Sequence, residues 1–388
     1  MKIEIVDTIA GLERVEAEWL DLFRRSDERY LPQDPRVLRA FFASEGGRSH
    51  PLVVMLRERG QLVCVAPFFT WRGGFRFSAS LVTLAEVPAR MLKLASERMV
   101  YARDADREGC CVAALTAVRD YRDRYDFMVL PELTLPSTIV DVLHRAPWTA
   151  LEIRGKRDRA YRHDLGESHE AFLASLSRKR RKNIRRDTKS WRTATFRRIE
   201  RADEVEGFLT AVAAISRHSW QGQNFGMWSE ARHASYLGYL QAFAEGGWLR
   251  SYLLEDASGA PMAFIMGWQG YGTLHYEEIG FDGRHRDAAP GIAATHLMME
   301  DVYTHRPPRT VDFGYGDNRY KEVVANVTLE TQPLHLFDRR RWRVAFATQR
   351  KIDALAEHAR RVAAERGLED RLRDLLKRRR PTVRPPPP

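Results

Sequence analysis

The residues richest in chemistry form one run, His275-Tyr276-Glu277-Glu278-Ile279-Gly280-Phe281-Asp282, followed by Gly283-Arg284-His285-Arg286-Asp287-Ala288-Ala289-Pro290-Gly291. Carboxylates and a histidine are the side chains that move protons near neutrality. On a strand, His275 and Glu277 share one face and Glu278 takes the other, so at most one glutamate points into a cleft. Burial there raises a carboxyl pKa toward the working range. The pattern predicts a strand over 273–281, a basic loop, and a helix over 291–303. Pro290 suits a first helical turn, where its missing N–H would be unpaired anyway. Gly291 lets a ligand approach the backbone. The open N–H groups of that turn, running into Ile292, make an anion site with the helix dipole. Arg284 and Arg286 add two cations, and a diphosphate is the guest these groups suit. An ordinary strand-to-helix crossover with surface arginines is the plainer alternative.

A second group lies at Asp312-Phe313-Gly314-Tyr315-Gly316-Asp317-Asn318-Arg319-Tyr320-Lys321. Here a strand ends in a glycine-bearing loop, and a crossover helix brings that end beside the first strand. In open α/β sheets, ligands bind beyond the carboxyl ends of such strands. Asp317, Tyr320 and Lys321 therefore rival Glu277 and His275 as proton-handling groups, while Tyr276, Asp312 and Gly314 are candidates to line the crevice. Asp282 and Asp312 can equally brace loops, and His275 can be a satisfied core histidine. Seven bases fill the nine positions from Arg178 to Arg186. On a helix, Lys179, Arg180, Arg181 and Asn183 can hold a phosphate or polar headgroup, or simply form a solvated face. Trp220-Gln221-Gly222 and Asn224–Trp228 read as an aromatic loop for an acceptor, although tryptophan is more often core.

Elements must position these groups. The 388 residues suit two domains, and 44% hydrophobic content excludes a wholly disordered or fibrous chain. No apolar run reaches the ~20 residues a spanning helix needs, and the first residues do not read as a secretory signal. Three cysteines make neither a disulfide framework nor a four-thiolate zinc site, and no metal is expected. In the first half, 52–56 and 62–66 read as a hairpin, 111–122 as a helix and 125–130 as a buried strand. In the second, 249–254 and 262–268 form a hairpin, followed by the strand at 273–281, a helix and a strand at 310–313. The repeated grammar predicts a tandem of two related α/β units. The boundary is expected near 150–160, where Ile153–Asp158 reads as a turn. Two amphipathic helical stretches, 169–191 and 205–218, open the second half. The formal charge of +11 lies mostly in residues 339–388, with 16 Lys or Arg against 6 Asp or Glu. That segment reads as an amphipathic helix ending in prolines.

The basic run through Asn183-Ile184-Arg185-Arg186, the Gly280-Phe281-Asp282 strand end, the Pro290-Gly291 helix start and Asp312-Phe313-Gly314-Tyr315-Gly316 with Tyr320-Lys321 resemble the GNAT acetyltransferases of the cellulose-biosynthesis type, relatives of the tandem-GNAT FemAB-like proteins. The likeness is clearest over 160–325. It implies an α/β tandem GNAT-like fold with mixed central sheets and a C-terminal helical extension. The implied domains are 1–155, a degenerate GNAT-like unit, 156–345, the unit with the donor site, and 346–388, the basic tail. The implied activity is transfer of an acyl group from acyl-CoA to an amine on an amino sugar, polysaccharide precursor or lipid base. An amine would attack a thioester carbonyl while the protein takes its proton and steadies the oxyanion. The family's Gln/Arg-x-x-Gly-x-Gly/Ala loop is missing, and Arg284–Gly291 stands in its place. Alternatives are a FemAB-like transferase taking its donor from aminoacyl-tRNA and a scaffold that only binds. The expected setting is cytoplasmic, with the basic tail against an anionic membrane and nucleic acid the lesser partner.

Overall fold

The computed structural model describes residues 1–365 except 80–81, 97, 146–150, 155–157, 190, 192, 220–221, 223–229, 317–318 and 338. Along the chain run β1 (Lys2–Val6), α1 (Ile9–Arg25), α2 (Pro35–Ser44), β2 (Ser49–Glu58), β3 (Gln61–Ala79), β4 (Val82–Leu94) and β5 (Val100–Tyr101). Next come α3 (Arg107–Asp120), β6 (Phe127–Thr134), α4 (Thr138–Arg145), β7 (Leu151–Arg154), β8 (Asp158–Asp164), α5 (His169–Ser175) and α6 (Arg178–Lys189). They are followed by β9 (Thr195–Ile199), α7 (Val205–Ser216), α8 (Glu230–Glu245), β10 (Ser251–Glu255), β11 (Pro261–Gly270) and β12 (Thr273–Phe281). Last are α9 (Pro290–Thr304), β13 (Thr310–Tyr315), α10 (Arg319–Val324), β14 (Val327–Phe337) and α11 (Arg340–Glu365).

Two compact units result, one from 1–27, 47–156 and the described chain from Gln332 on, the other from 28–46 and 157–331. The division by sequence at 155, 156–345 and 346–388 differs in composition. Residues 28–46 pack with the second unit, and the chain returns to the first at Gln332, inside β14. The turn expected at Ile153–Asp158 also differs, since 151–154 is strand β7, paired with Leu334–Phe337 of β14.

In the first unit β1, β2, β3 and β4 are successive antiparallel neighbours. Met91–Lys93 of β4 then pairs in parallel with Phe127–Val129 of β6. A two-residue turn joins β2 to β3, and both Arg59 (φ 49°) and Gly60 (φ 86°) adopt the left-handed backbone such a hairpin needs. Its inward face (Leu52, Val54, Leu56, Cys64, Phe68) packs against Cys110, Ala114, Leu115 and Val118 of α3. All three cysteines are buried and free, serving as small core residues.

The second unit repeats this plan. β9, β10, β11 and β12 are antiparallel neighbours, Thr273–His275 of β12 pairs in parallel with Thr310–Asp312 of β13, and α9 makes the crossover as α3 does in the first unit. On the far side of β13 lies β8, which also pairs with the start of β14. One core, with Tyr252, Ile265, Leu274 and Val311, packs beneath Ala294, Met298 and Val302 of α9. A second core holds Phe208, Leu209 and Val212 of α7 against Leu253, Phe264 and Met266. The single helix read at 169–191 is two, because Leu176 and Ser177 interrupt it and the Ser168 and Ser177 hydroxyls each accept from a following backbone N–H.

The repeat is unequal where it matters. In the first unit the parallel ladder lies at the end of β4, one residue before it stops at Leu94. In the second it lies at the start of β12, and both strands run on beyond it.

Candidate active site

Past His275 and Asp312 the β12–β13 ladder ends although both strands continue, so the pair opens toward its carboxyl ends. At the same level β12 carries a bulge. Met266 pairs with Glu278 and Gly267 with Tyr276, leaving Glu277 as the extra residue outside the β11 register. A bulge re-aims side chains, so strict alternation does not govern the two glutamates. Tyr276 turns into the core, where its ring lies 5.2 Å from that of Phe313 and its hydroxyl 3.3 Å from Thr295 Oγ1. Its expected role as a lining residue is thus replaced by packing.

Glu277 is exposed to solvent, with no hydrogen bond or ion pair among the described residues. Its carboxyl is nevertheless pushed up, first by desolvation and then by the like charge of Glu278, against the pull of Arg232. The carboxylate is thus reached by water yet crowded by surrounding protein. Glu278 is held by Arg232 of α8 at 3.3 Å. The sequence reading missed this arginine. A helix over 230–245 carries only weak apolar periodicity, and nothing in the spacing ties its first turn to residue 278.

His275 is buried and edge-on to Tyr30 at 4.4 Å. Desolvation holds it down at about 4, with Asp312 opposing and Arg162 reinforcing that shift, so the ring is neutral and a weak base at neutral pH. Its Nε2 has no hydrogen-bond partner among the described residues. Asp312 accepts from the Tyr30 hydroxyl (2.7 Å), Arg162 Nε (3.2 Å) and the Gly314 N–H (2.9 Å). Burial raises its pKa, but Arg162 and His275 outweigh that and keep it ionised. Asp312 therefore braces the strand end, as the alternative reading had it.

In the loop beyond, Gly314 has φ +64° and open space around it. Lys321 is buried and donates from Nζ to the Tyr315 carbonyl at 2.5 Å, closing the loop rather than facing a substrate. Tyr320 is pushed up to about 12, chiefly by desolvation, and stays protonated. Asp317 and Trp220, with most of the aromatic loop, lie outside the described residues.

The loop after β12 is a short 3-10 helix, Gly283–Ala288. Buried Asp282 begins it, accepting from the Arg284 N–H (2.9 Å) and pairing with the Arg284 guanidinium at 2.6 Å. Arg284 is thus tied back, whereas Arg286 is exposed and has no partner among the described residues. Ala289 then takes a left-handed conformation (φ 50°) as the N-cap of α9 and offers no side-chain cap. Ser, Thr, Asn or Asp is the usual choice there, and a left-handed alanine is strained. The N–H groups of Gly291 and Ile292 are left without partners among the described residues, while Ala293 already bonds Ala289. Pro290 and Gly291 are buried, and a Cβ on Gly291 would sit 3.1 Å from Phe281 Cδ1. The glycine serves close helix-on-strand packing, and Ile292, 40% exposed, is the outward residue of the turn. In the first unit the corresponding end of α3 is already filled. The Asp106 carboxylate accepts from the Gly109 N–H at 3.0 Å, and Glu108 adds another negative charge.

The basic helix α6 runs antiparallel to α9. Trp191, just past its end, donates to the Ala288 carbonyl at 2.8 Å, and Asp187 lies close enough to act on buried His296. Its last turn, with exposed Arg186 and Lys189, therefore lies toward the start of α9. Lys179, Arg180 and Asn183 lie toward the other end. Arg181 donates to the carbonyls of Ala174 (2.8 Å) and Leu176 (2.6 Å), closing α5. That is a structural duty, in place of the substrate contact expected of it.

Residues 178–322 match the acetyltransferase (GNAT) domain family. Among solved structures the chain is similar to FemX, with a TM-score of 0.56 at 12% identity over 86% of this chain and 97% of that one. It is also similar to L-PGS from Bacillus licheniformis (0.52, 13%, 88% and 96%) and to a tandem GNAT protein from the clavulanic acid biosynthesis pathway (0.52, 13%, 86% and 98%). At these identities the likeness is one of fold, and the fold is a tandem GNAT-like α/β architecture. No curated protein matches the chain. Among the described residues no group of three or more His, Cys, Asp or Glu side chains is placed to hold a metal, and no helix is long and apolar enough to cross a membrane.

Proposed function

We propose that the second unit is an acyl-CoA-dependent N-acyltransferase acting on an amine, as the likeness to the cellulose-biosynthesis type implies. The observation that carries this is the uncapped start of α9 beside a strand pair that opens at a bulged, desolvated glutamate. The free N–H groups of Gly291 and Ile292, with Arg286 and the helix dipole, suit the diphosphate of CoA. A thioester donor bound there supplies the activated acyl carbonyl. Glu277, its pKa raised, takes the proton as the amine nitrogen bonds to that carbonyl, the carbon–sulfur bond breaks and CoA departs as thiolate, which then receives that proton. Backbone N–H displaced from the β11 register by the bulge steadies the carbonyl oxygen. Asp312, Arg162 and Tyr30 hold the strand end rigid, and Tyr276 fixes β12 to α9.

A second reading, transfer from aminoacyl-tRNA, is favoured by one observation, the run of exposed bases on α6. The two separate under salt. Acetyl-CoA binding that saturates and weakens little between 50 and 200 mM salt, with thiol release on adding a panel of amines, supports the first reading. A steep loss of RNA affinity over that range, typically ~10³-fold or more for several phosphate contacts, without CoA binding supports the second. Failure of both leaves a binding scaffold.

A further inference from the structure

The first unit holds a recess of about 300 Å³ lined by Asp7, His50, Thr70, Arg72, Arg90, Asp123 and Arg124. Arg72 of β3 and Arg90 of β4 are direct cross-strand partners. Like charges opposite one another on a sheet face destabilise it, unless something negative lies between them. Little on the protein does. Arg124 is taken by Asp7 at 2.6 Å, and Asp123 pairs with Arg339 at 3.4 Å. Among the described residues the Arg90 guanidinium reaches only Asp126, at 3.7 Å, and Asp126 also pairs with Arg341 and lies 3.8 Å from Arg339. Arg72 has no side-chain partner among the described residues. Guanidinium groups thus outnumber carboxylates around this recess, and the surplus is centred on the Arg72–Arg90 pair.

We infer that this recess binds a phosphate dianion between the guanidinium groups of Arg72 and Arg90, with Thr70 and His50 at its side. Paired guanidinium forks match phosphate oxygens in geometry and charge. The space exceeds a bare phosphate, so the ligand carries the group on a small organic body or presents it from a lipid headgroup. Every residue named belongs to the first unit, whereas the residues of the proposed donor site belong to the second.

The test uses the full chain in an Ile292→Glu background, which removes the α9 anion site from the readout. Equilibrium dialysis with inorganic phosphate and with pyrophosphate, and sedimentation with phosphatidylglycerol vesicles, are compared with and without Arg72→Gln. A soluble-ligand site gives saturable phosphate or pyrophosphate binding that Arg72→Gln weakens by ~10-fold or more. A headgroup site gives vesicle binding with the same dependence and no binding of the free anions. In anion-free buffer Arg72→Gln should raise the melting temperature by relieving the cross-strand repulsion, and added phosphate should reverse the order. Binding in every arm indifferent to Arg72, or a variant that melts lower without anion, overturns the inference.

Discussion

Replacing Glu277 by Gln removes the proposed base and little else. The carboxyl makes no hydrogen bond or ion pair among the described residues and is exposed, so stability should change by no more than ~0.5 kcal/mol. A positioned general base is worth ~10²–10⁴ in rate, or about 3–5 kcal/mol of barrier, and kcat should fall by that factor. The KM for acetyl-CoA should hold, because the diphosphate site is on another element. The pH profile gives a sharper check. Desolvation and Glu278 raise the Glu277 pKa while Arg232 lowers it. The acid limb of kcat/KM should therefore lie above the ordinary carboxylate range and vanish in Glu277→Gln. Glu278→Gln removes a like charge and should move the limb to lower pH, whereas Arg232→Gln removes a cation and should move it higher. Thiol release from acetyl-CoA, followed over pH 4–9, reads all three. A limb unmoved by either neighbour, or kcat in Glu277→Gln within ~3-fold of wild type, would falsify the assignment of Glu277.

Other outcomes follow from the same geometry. Arg181→Ala should cost ~1–2 kcal/mol in urea unfolding by opening the end of α5, yet leave CoA affinity unchanged, and a CoA defect would return Arg181 to the binding site. Burial holds His275, His296 and His335 down at about 4 in the folded chain, against ~6.5 unfolded. Between those values the unfolded state binds more protons, so stability should fall on acidification from pH 6.5 to 4, by roughly 2–3 kcal/mol for each histidine. A melting temperature flat across that window would contradict it. Gly280→Ala would place Cβ 2.2 Å from Phe264 Cε1 and should destabilise by ~1–3 kcal/mol, and a neutral result would show that ring free to move.

The hairpins, the crossover helices and the strand at 273–281 were legible because period-two and helical patterns survive wherever one face is buried. The duplication was legible for the same reason. What escaped were features set by tertiary partners. Residues 28–46 carry no mark that Tyr30 will reach Asp312, nor does a run of seven bases show that Arg181 turns inward to cap α5 while its neighbours stay in solvent. The bulge at Glu277 arises from the register of β11 against β12, which no single-strand pattern encodes. Gly291 was read as room for a ligand, and the structure gives that room to Phe281. The asymmetry between the units was in plain view, as Asp106 before α3 and Ala289 before α9, but it acquires meaning only once the two helices are seen in equivalent places.

Calorimetric titration of CoA into wild type and Ile292→Glu tests the central claim most directly. Residue 292 points outward, and a carboxylate in the first turn favours the helix dipole by ~0.3–1 kcal/mol, so folding should be kept or improved. The same charge faces the diphosphate. One saturable site in wild type, weakened ~10-fold or more in the variant at an equal or higher melting temperature, is the expected result. Equal affinity in the two proteins, or no CoA binding by wild type, would contradict it.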